Sequence, residues 1–173
     1  KLAMLWSVGK DSTTLLWLVR KAFFGRIPFP VVQIDTGLQY PELYAFRDRM
    51  VEEFGFEFIV GRNEEAIEKV RRGERLGPDP KLACCTALKT NALQTIIAER
   101  GFTGLLLGVR RDEHGIRAKE RVFSPRDEDF KWNYKQQTPE FWDQYRTRSE
   151  AGSHMRIHPI LHWREIDIWR YIQ

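Results

Sequence analysis

The chain of 173 residues has little cysteine: Cys84 and Cys85 are its only two, and they are adjacent. Two neighbouring thiols do not suggest the disulfide framework of a small secreted domain, and we expect a cytoplasmic protein. Long hydrophobic runs are also missing, because no apolar segment approaches the length that crosses a bilayer. No signal-peptide pattern opens the chain, and a membrane partner is not expected.

The turn at residues 7–12 lacks the signature of two common phosphate-binding motifs. A Walker A loop would require glycine where Met4 stands, and serine or threonine where Asp11 stands. A dinucleotide fingerprint, G-x-G-x-x-G, would also require glycine at position 11. The sequence therefore excludes both motifs.

Residues 2–12 do contain an apolar run that ends in Ser-x-Gly-Lys-Asp-Ser and leads into helically spaced apolar residues. A strand, a tight turn and a helix N-terminus can bind phosphate, because the first N–H groups of a helix lack internal partners and carry the positive end of its dipole. Gly9 allows a ligand to come close. Ser7 and Ser12 offer hydroxyls, and Lys10 adds charge. The alternative is an ordinary strand–turn–helix corner with a polar cap.

Strand and helix patterns alternate along the first 110 residues. Apolar runs predict strands at residues 31–35, 56–60 and 103–109. Helical spacing predicts helices that begin near Pro41, Asn63 and Cys84. This alternation predicts an α/β fold with a parallel, doubly wound sheet. A strand at residues 156–160 and a helix at residues 162–172 follow in the same single domain, residues 1–173. The chain starts inside a predicted strand and stops inside a predicted helix, so we expect a segment of a longer protein.

A second candidate site follows the strand at residues 103–109. The net charge of +4 and the pI near 9.2 favour an anionic ligand, with nucleic acid as an alternative. Residues 110–121 carry five Lys or Arg against three Asp or Glu, without helical periodicity. Gly108, at the end of the buried strand, favours a ligand site there over a solvated basic face. Residues 127–145 are polar and aromatic, and we expect a long ordered loop over the site.

Seven stretches resemble, in order, the small subunits of bacterial sulfate adenylyltransferase, within the phosphoadenosine phosphosulfate reductase family of PP-loop ATP pyrophosphatases. They are SVGKDS, FPVVQIDTG, YAFRDR, GVRRDEHGIRAKER, FSPRD, KWNYKQQTPEFW and IHPILHWREIDIWRYI. The resemblance implies an adenine nucleotide alpha hydrolase-like fold, with the nucleotide across the carboxyl ends of the strands. It also implies that ATP and sulfate give adenosine 5′-phosphosulfate and pyrophosphate, with Mg²⁺ as cofactor and a GTPase large subunit as a candidate partner.

The resemblance assigns roles to matching residues. The β and γ phosphates would contact Ser7, Gly9, Lys10, Asp11, Ser12 and Thr13. The nucleotide end would be lined by Asp35, Thr36 and Gly37. The candidate catalytic residues are Lys10, Arg110, Arg111 and Arg117. The arginines would lie on the side of sulfate and the α-phosphate, since arginine binds tetrahedral oxyanions bidentately. The four histidines have no metal-ligand spacing, and we expect structural or surface roles for His114, His154, His158 and His162.

Cys84 and Cys85 depart from the sulfurylase pattern. Adenylyl-sulfate reductases carry such a pair as two of four thiolates of a 4Fe–4S cluster. Two small residues at a helix start are the favoured interpretation, so an iron–sulfur cluster is considered but not favoured. Three functions stay open: adenylyl transfer to sulfate, reduction of adenylyl sulfate or its 3′-phosphate, and ATP-dependent activation of a nucleic acid for sulfur insertion, as in DNA phosphorothioation or tRNA thiolation.

Overall fold

The computed structural model describes residues 1–142, 144–148 and 152–173. Its strands are β1 (Leu2–Leu5), β2 (Val31–Ile34), β3 (Phe58–Gly61), β4 (Gly104–Leu106), β5 (Phe123–Arg126) and β6 (His154–Ile157). Its helices are α1 (Lys10–Ala22), α2 (Pro41–Phe54), α3 (Glu64–Arg71), α4 (Pro80–Cys85), α5 (Ala92–Arg100) and α6 (Glu165–Ile172). A π-helical turn, Thr86–Asn91, joins α4 to α5. No helix in these ranges is both long and apolar enough to cross a membrane.

The strands form one sheet in the order β3-β2-β1-β4-β6-β5. Every neighbouring pair is parallel except β5 with β6, which is antiparallel. From β1 the chain adds β2 and β3 on one side and then returns to place β4 on the other. The topological switch point therefore lies between β1 and β4, where open α/β sheets bind their ligands. The predicted doubly wound sheet is confirmed.

Apolar side chains cover both faces of the sheet. One cluster joins Met4 and Trp6 to Leu15 and Leu16 of α1, together with side chains from α2 and α6. The other cluster joins Ala3, Val32 and Leu105 to α5. Alternate residues of β1 point to opposite faces, so Ala3 and Met4 enter different clusters. Burial on both sides explains the continuous apolar run of β4.

The structure corrects several predicted boundaries. β4 is three residues long, and after it the N–H of Leu107 still donates to the carbonyl of Ile157 in β6 at 2.9 Å, so the strand is shorter than the predicted residues 103–109. The last parallel strand, expected at residues 156–160, is His154–Ile157. The helix expected from Cys84 begins at Pro80, because the carboxylate of Asp79 accepts a hydrogen bond from the N–H of Leu82 at 3.1 Å.

β5 was not predicted, because Pro125 interrupts its pattern. Proline is tolerated there since β5 is the edge strand of the sheet. The loop expected at residues 127–145 follows β5, and its residue 143 lies outside the described ranges. Glu140 of this loop accepts hydrogen bonds from the N–H groups of Val122 and Phe123, at 2.8 and 2.9 Å. The loop is thereby fixed against the start of β5.

Candidate functional site

A cavity of about 730 Å³ opens beyond the carboxyl ends of β1, β2 and β4, and we call it the switch-point cavity. Its polar wall includes Ser7, Gly9, Asp11, Ser12, Thr36, Gln39, Lys89, Thr90, Glu113, Arg117 and Arg156. A second cavity, of about 780 Å³, has a mostly apolar lining that includes Trp17, Phe46 and Tyr171. The switch-point cavity is the stronger candidate because polar and charged groups converge on it.

The turn between β1 and α1 presents a helix N-terminus to this cavity. The backbone of Val8 is left-handed, with φ of 63°, and turns the chain sharply into α1. The hydroxyl of Ser12 donates to the carbonyl of Gly9 at 3.0 Å and lies 3.0 Å from that of Ser7. Among the residues that the structure describes, no side chain caps the N-terminus of α1 at Gly9. The first N–H groups of a 13-residue helix thus have no side-chain acceptor, which suits an anionic ligand.

Gly108 brings the end of β4 into backbone contact with this turn. A Cβ atom at position 108 would lie 2.9 Å from both the Cα and the N of Ser12. Only glycine allows so close an approach. The residue that marked a ligand site in the sequence therefore packs directly on the phosphate-loop candidate.

The charges of Lys10 and Arg110 are taken up by carboxylates. The ammonium of Lys10 lies 3.2 Å from Asp11 and 3.1 Å from Glu165. Burial acts to lower the pKa of Lys10, but hydrogen bonds to Glu165 and Asp11 raise it above its usual value. Arg110 is only 3% exposed and lies 2.5 Å from both Asp112 and Glu165. Its Nε is 3.2 Å from Asp11 Oδ1, although this contact lacks hydrogen-bond geometry.

The three predicted arginines do not share one surface. The guanidinium of Arg111 donates to the carbonyl of Glu120 at 3.2 Å and lies 2.9 Å from Nδ1 of His162. Neither Arg110 nor Arg111 lines the switch-point cavity, whereas Arg117 does. Of the three, Arg117 shares this cavity with the Ser7–Ser12 turn.

Asp35 is buried and fully engaged in holding the turn after β2. It accepts hydrogen bonds from the N–H of Gly37 at 2.8 Å, the hydroxyl of Tyr44 at 2.8 Å and the guanidinium of Arg62 at 2.6 Å. Burial acts to raise the pKa of Asp35, but these bonds together lower it. Gly37 is left-handed, with φ of 69°. Thr36 is the member of this predicted trio that lines the cavity.

Sequence reasoning missed several charged or polar wall residues. Lys89 and Thr90 lie in the π-helical turn, within the stretch whose cysteines drew attention to metal binding. Arg156 lies in β6, immediately before the stretch IHPILHWREIDIWRYI that carried part of the resemblance. The basic residue inside a predicted strand was the available signal, since a charged side chain in a parallel strand is unusual.

Cys84 and Cys85 are free thiols that point to different surroundings. Cys84 packs against the small cluster of Ala66, Ile67 and Leu88, whereas Cys85 is exposed. Within the described ranges, no group of three or more metal-ligating side chains comes together. Two thiols from one chain do not match the four that a 4Fe–4S cluster takes.

We predict that this 173-residue chain will bind no stoichiometric iron–sulfur cluster. Its two cysteines can supply half of the required thiolates. Anaerobic reconstitution with iron and sulfide, followed by analysis of both elements, measures the content. A stable cluster with four irons per chain in a monomer would contradict the prediction, and a Cys84→Ser, Cys85→Ser variant provides the background value.

Two of the four histidine side chains are buried and two are exposed. His154 packs on the ring of Phe130 with centroids 4.6 Å apart, and His158 donates from Nδ1 to the carbonyl of Arg121 at 2.8 Å. Burial lowers the pKa of each of these two to about 4, so both rings are neutral near pH 7. His114 and His162 lie at the surface.

The fold and the turn at its switch point define an adenine nucleotide alpha hydrolase-like protein of the PP-loop class. The family model for the phosphoadenosine phosphosulfate reductase domain matches residues 1–173, and the chain belongs to this family.

Curated relatives are subunits of an adenylyltransferase. The chain is 43% identical over 172 residues to sulfate adenylyltransferase subunit 2 of Colwellia psychrerythraea, covering 98% of this chain and 56% of that protein. It is 41% identical over 174 residues to the protein of the same name from Serratia proteamaculans, covering 98% of this chain and 55% of that protein. The chain thus spans about half the length of the curated relatives that it matches.

Solved structures share the fold at low sequence identity. Phosphoadenylyl-sulfate reductase from Candida auris aligns with a TM-score of 0.66 and 15% identity, covering 99% of this chain and 70% of that one. The U34-tRNA thiolase NcsA from Methanococcus maripaludis aligns with a TM-score of 0.58 and 18% identity, covering 98% of this chain and 55% of that one. FMN adenylyltransferase of Candida glabrata in complex with ATP aligns with a TM-score of 0.61 and 14% identity, covering 99% of this chain and 45% of that one.

Proposed function

We propose that the protein transfers the adenylyl group of ATP to sulfate. The observation that carries this proposal is the shared cavity, which has the uncapped N-terminus of α1 on one part of its wall and arginine on another. Such a site can hold two anions together, as attack by one oxyanion on another requires. The names of the curated relatives support sulfate as the acceptor.

In the proposed reaction, a sulfate oxygen forms a bond to the α-phosphorus of ATP. The bond from that phosphorus to the oxygen that bridges to the β-phosphorus breaks. Pyrophosphate leaves with the bonding electron pair, and adenosine 5′-phosphosulfate remains. No proton has to move for this exchange, so the site needs positioned positive charge and N–H donors more than a general base.

The turn at residues 7–12 would bind the β and γ phosphates through the N–H groups at the start of α1 and the hydroxyls of Ser7 and Ser12. Thr13 has a supporting role, because its hydroxyl accepts the indole N–H of Trp6 at 3.0 Å and anchors α1 to β1. Thr36 would lie at the nucleotide end, held in place by Asp35. Lys10 and Arg110 would act through Asp11 and the start of α1, and not by direct contact with sulfate.

Mg²⁺ is the cofactor that we propose for this reaction, and it would neutralise charge on the leaving pyrophosphate. Asp11 would hold such an ion through Oδ1, because it lines the switch-point cavity and this buried oxygen accepts no hydrogen bond. The ion would take the place of the Nε of Arg110, which lies 3.2 Å from that oxygen. Magnesium binds through one or two carboxylates together with substrate phosphates. Asp35 would not bind the ion, since Arg62, Tyr44 and Gly37 occupy its oxygens.

The proposal extends to partners, location and domain organisation. Residues 1–173 form one PP-loop domain in this proposal, and the whole protein works in the cytoplasm, where ATP is available. The relatives are named as a second subunit, which supports a partner subunit for the whole protein. The partner that we propose, a GTPase large subunit, rests on the family resemblance.

The test compares acceptors. Pyrophosphate release from ATP and Mg²⁺ would be measured with sulfate, with adenylyl sulfate plus reduced thioredoxin, with tRNA or DNA, and with no acceptor. Inorganic pyrophosphatase draws the reaction forward. We expect release to depend on sulfate and to match the adenosine 5′-phosphosulfate formed. Sulfite production from adenylyl sulfate would favour the reductase, and release that depends on nucleic acid would favour activation for sulfur insertion.

A further inference from the structure

Arg156 is a largely buried arginine at the switch-point cavity that pairs with no carboxylate of the described residues. Its side chain lines the cavity, while its buried Nε–H donates to no acceptor among the described residues. Within the described ranges, the Arg156 side chain takes part in no ion pair or hydrogen bond. Burial, together with the nearby charge of Arg126, lowers its pKa to about 10, so the side chain is still charged near pH 7.

The surroundings of Arg156 carry excess positive charge. The guanidinium of Arg126 lies 2.8 Å from Oε1 of Glu120, and that of Arg117 lies 3.9 Å from the same oxygen. Arg126 and Arg117 therefore share one buried carboxylate, and Arg156 beside them has none within contact distance among the described residues. His158 does not supply more charge, because its Nδ1–H is donated to a backbone carbonyl and its pKa is lowered to about 4. An unpaired charge out of water is costly, so this arrangement favours an anion in the cavity.

The sheet places this positive charge beside the phosphate-loop candidate. Arg156 pairs in register with Leu105 of β4, and Leu105 pairs with Ala3 of β1. The β6 strand therefore lies two strands from β1, about 10 Å away. An anion held by Arg156 would therefore lie beside the ATP phosphates that we place at the turn after β1. It would not compete with those phosphates for the N–H groups at the start of α1.

We propose that Arg156, together with Arg117, forms the subsite for the acceptor oxyanion. This inference rests on the proposed function and names the residues that would hold sulfate in it. Both guanidinium groups can donate two parallel N–H bonds to a tetrahedral oxyanion. Glu120 positions Arg117 and Arg126 without neutralising the site. Arg110 and Arg111, which carry their own partners elsewhere, are outside this subsite.

The experiment titrates sulfate into the protein saturated with α,β-methylene ATP and Mg²⁺, by calorimetry. We expect Arg156→Gln to weaken sulfate binding at least tenfold, the size of a lost charged hydrogen bond, and to change the affinity for the ATP analogue less than threefold. Arg156→Lys should recover sulfate binding only in part, since a point charge cannot replace the planar fork. Arg117→Ala should weaken sulfate binding in the same way.

Thermal unfolding distinguishes this role from a structural one. Because Arg156 has no side-chain partner among the described residues, Arg156→Gln should leave the melting temperature unchanged or raise it. Sulfate should raise the melting temperature of the parent and of the control Arg26→Ala, an exposed arginine in the loop after α1, but not that of Arg156→Gln.

Several results would overturn the proposal. The proposal fails if Arg156→Gln binds sulfate as tightly as the parent. It also fails if the variant loses as much affinity for the ATP analogue as for sulfate, or if the parent binds no sulfate. A parent that binds sulfate through Arg156 but forms no adenosine 5′-phosphosulfate would uphold the oxyanion subsite and reject the proposed reaction. If Arg156→Gln formed adenosine 5′-phosphosulfate with an unchanged KM for sulfate, the proposed reaction would be upheld and the oxyanion subsite at Arg156 rejected.

Discussion

Replacing Gly108 with alanine is expected to lower the affinity for ATP roughly a hundredfold. The new Cβ would lie 2.9 Å from backbone atoms of Ser12 and 3.0 Å from the carbonyl carbon of Asp11, so the start of α1 must move. Hydrogen bonds to charged groups contribute about 1.5–3 kcal/mol each, and losing one or two of them accounts for the expected change. Calorimetric titration with ATP and Mg²⁺ measures it.

Gly115→Ala is the matched control. Gly115 lies in the same connection after β4, and a Cβ there would meet no atom within 4 Å. Its variant should bind ATP as the parent does, and urea unfolding should show that both variants are folded. If Gly108→Ala bound ATP as tightly as the parent, the turn after β1 would not be the phosphate site.

Features that depend on neighbouring residues could be predicted from the sequence. The strand, turn and helix around Gly9 follow one another within about twenty residues, and the apolar run of β4 reports burial on both faces. The order of strands and helices then specified the doubly wound sheet, since parallel strands require crossover helices. Gly108 could be singled out for its place at the end of that run.

Features that depend on distant pairing could not be predicted. β5 is short, contains Pro125 and is recognisable only from its pairing with β6 about thirty residues later. Arg110 looked like a ligand-binding arginine because Glu165, its partner 55 positions away, is not apparent from local sequence. Arg156 was overlooked for the converse reason. Its significance lies in what it fails to contact, and a sequence carries no record of a missing partner.

These contacts divide the arginines of the site into two kinds. Arg110 is surrounded by carboxylates and holds the start of α1 to α6 through Asp11 and Glu165. Arg156 lines the cavity and contacts no carboxylate in the part of the chain that the structure describes. Replacing an arginine of the first kind should affect folding before chemistry, whereas replacing one of the second kind should affect binding without loss of stability.

Arg110→Ala should accordingly lower the free energy of unfolding by about 2–4 kcal/mol. Among the described residues, removal leaves Asp11 and Glu165 with the ammonium of Lys10 as their cationic partner. It leaves Asp112 with the backbone N–H of Glu165 and no cation. Breaking a buried pair costs about 3–5 kcal/mol, and the expected value is smaller because half of Glu165 is exposed. Urea unfolding at neutral pH measures the difference.

The matched variant for Arg110 is Arg111→Ala, whose arginine bonds a carbonyl and a histidine and leaves no carboxylate unpaired. Its expected loss is about 1 kcal/mol or less. Combining Arg110→Ala with Glu165→Gln should recover part of the stability, since the second change removes one of the stranded charges. If Arg110→Ala unfolded at the same urea concentration as the parent and lost only turnover, Arg110 would act on the substrates. The direct catalytic role that its sequence context suggests would then be correct, and the carboxylate cluster would have to open when ATP binds.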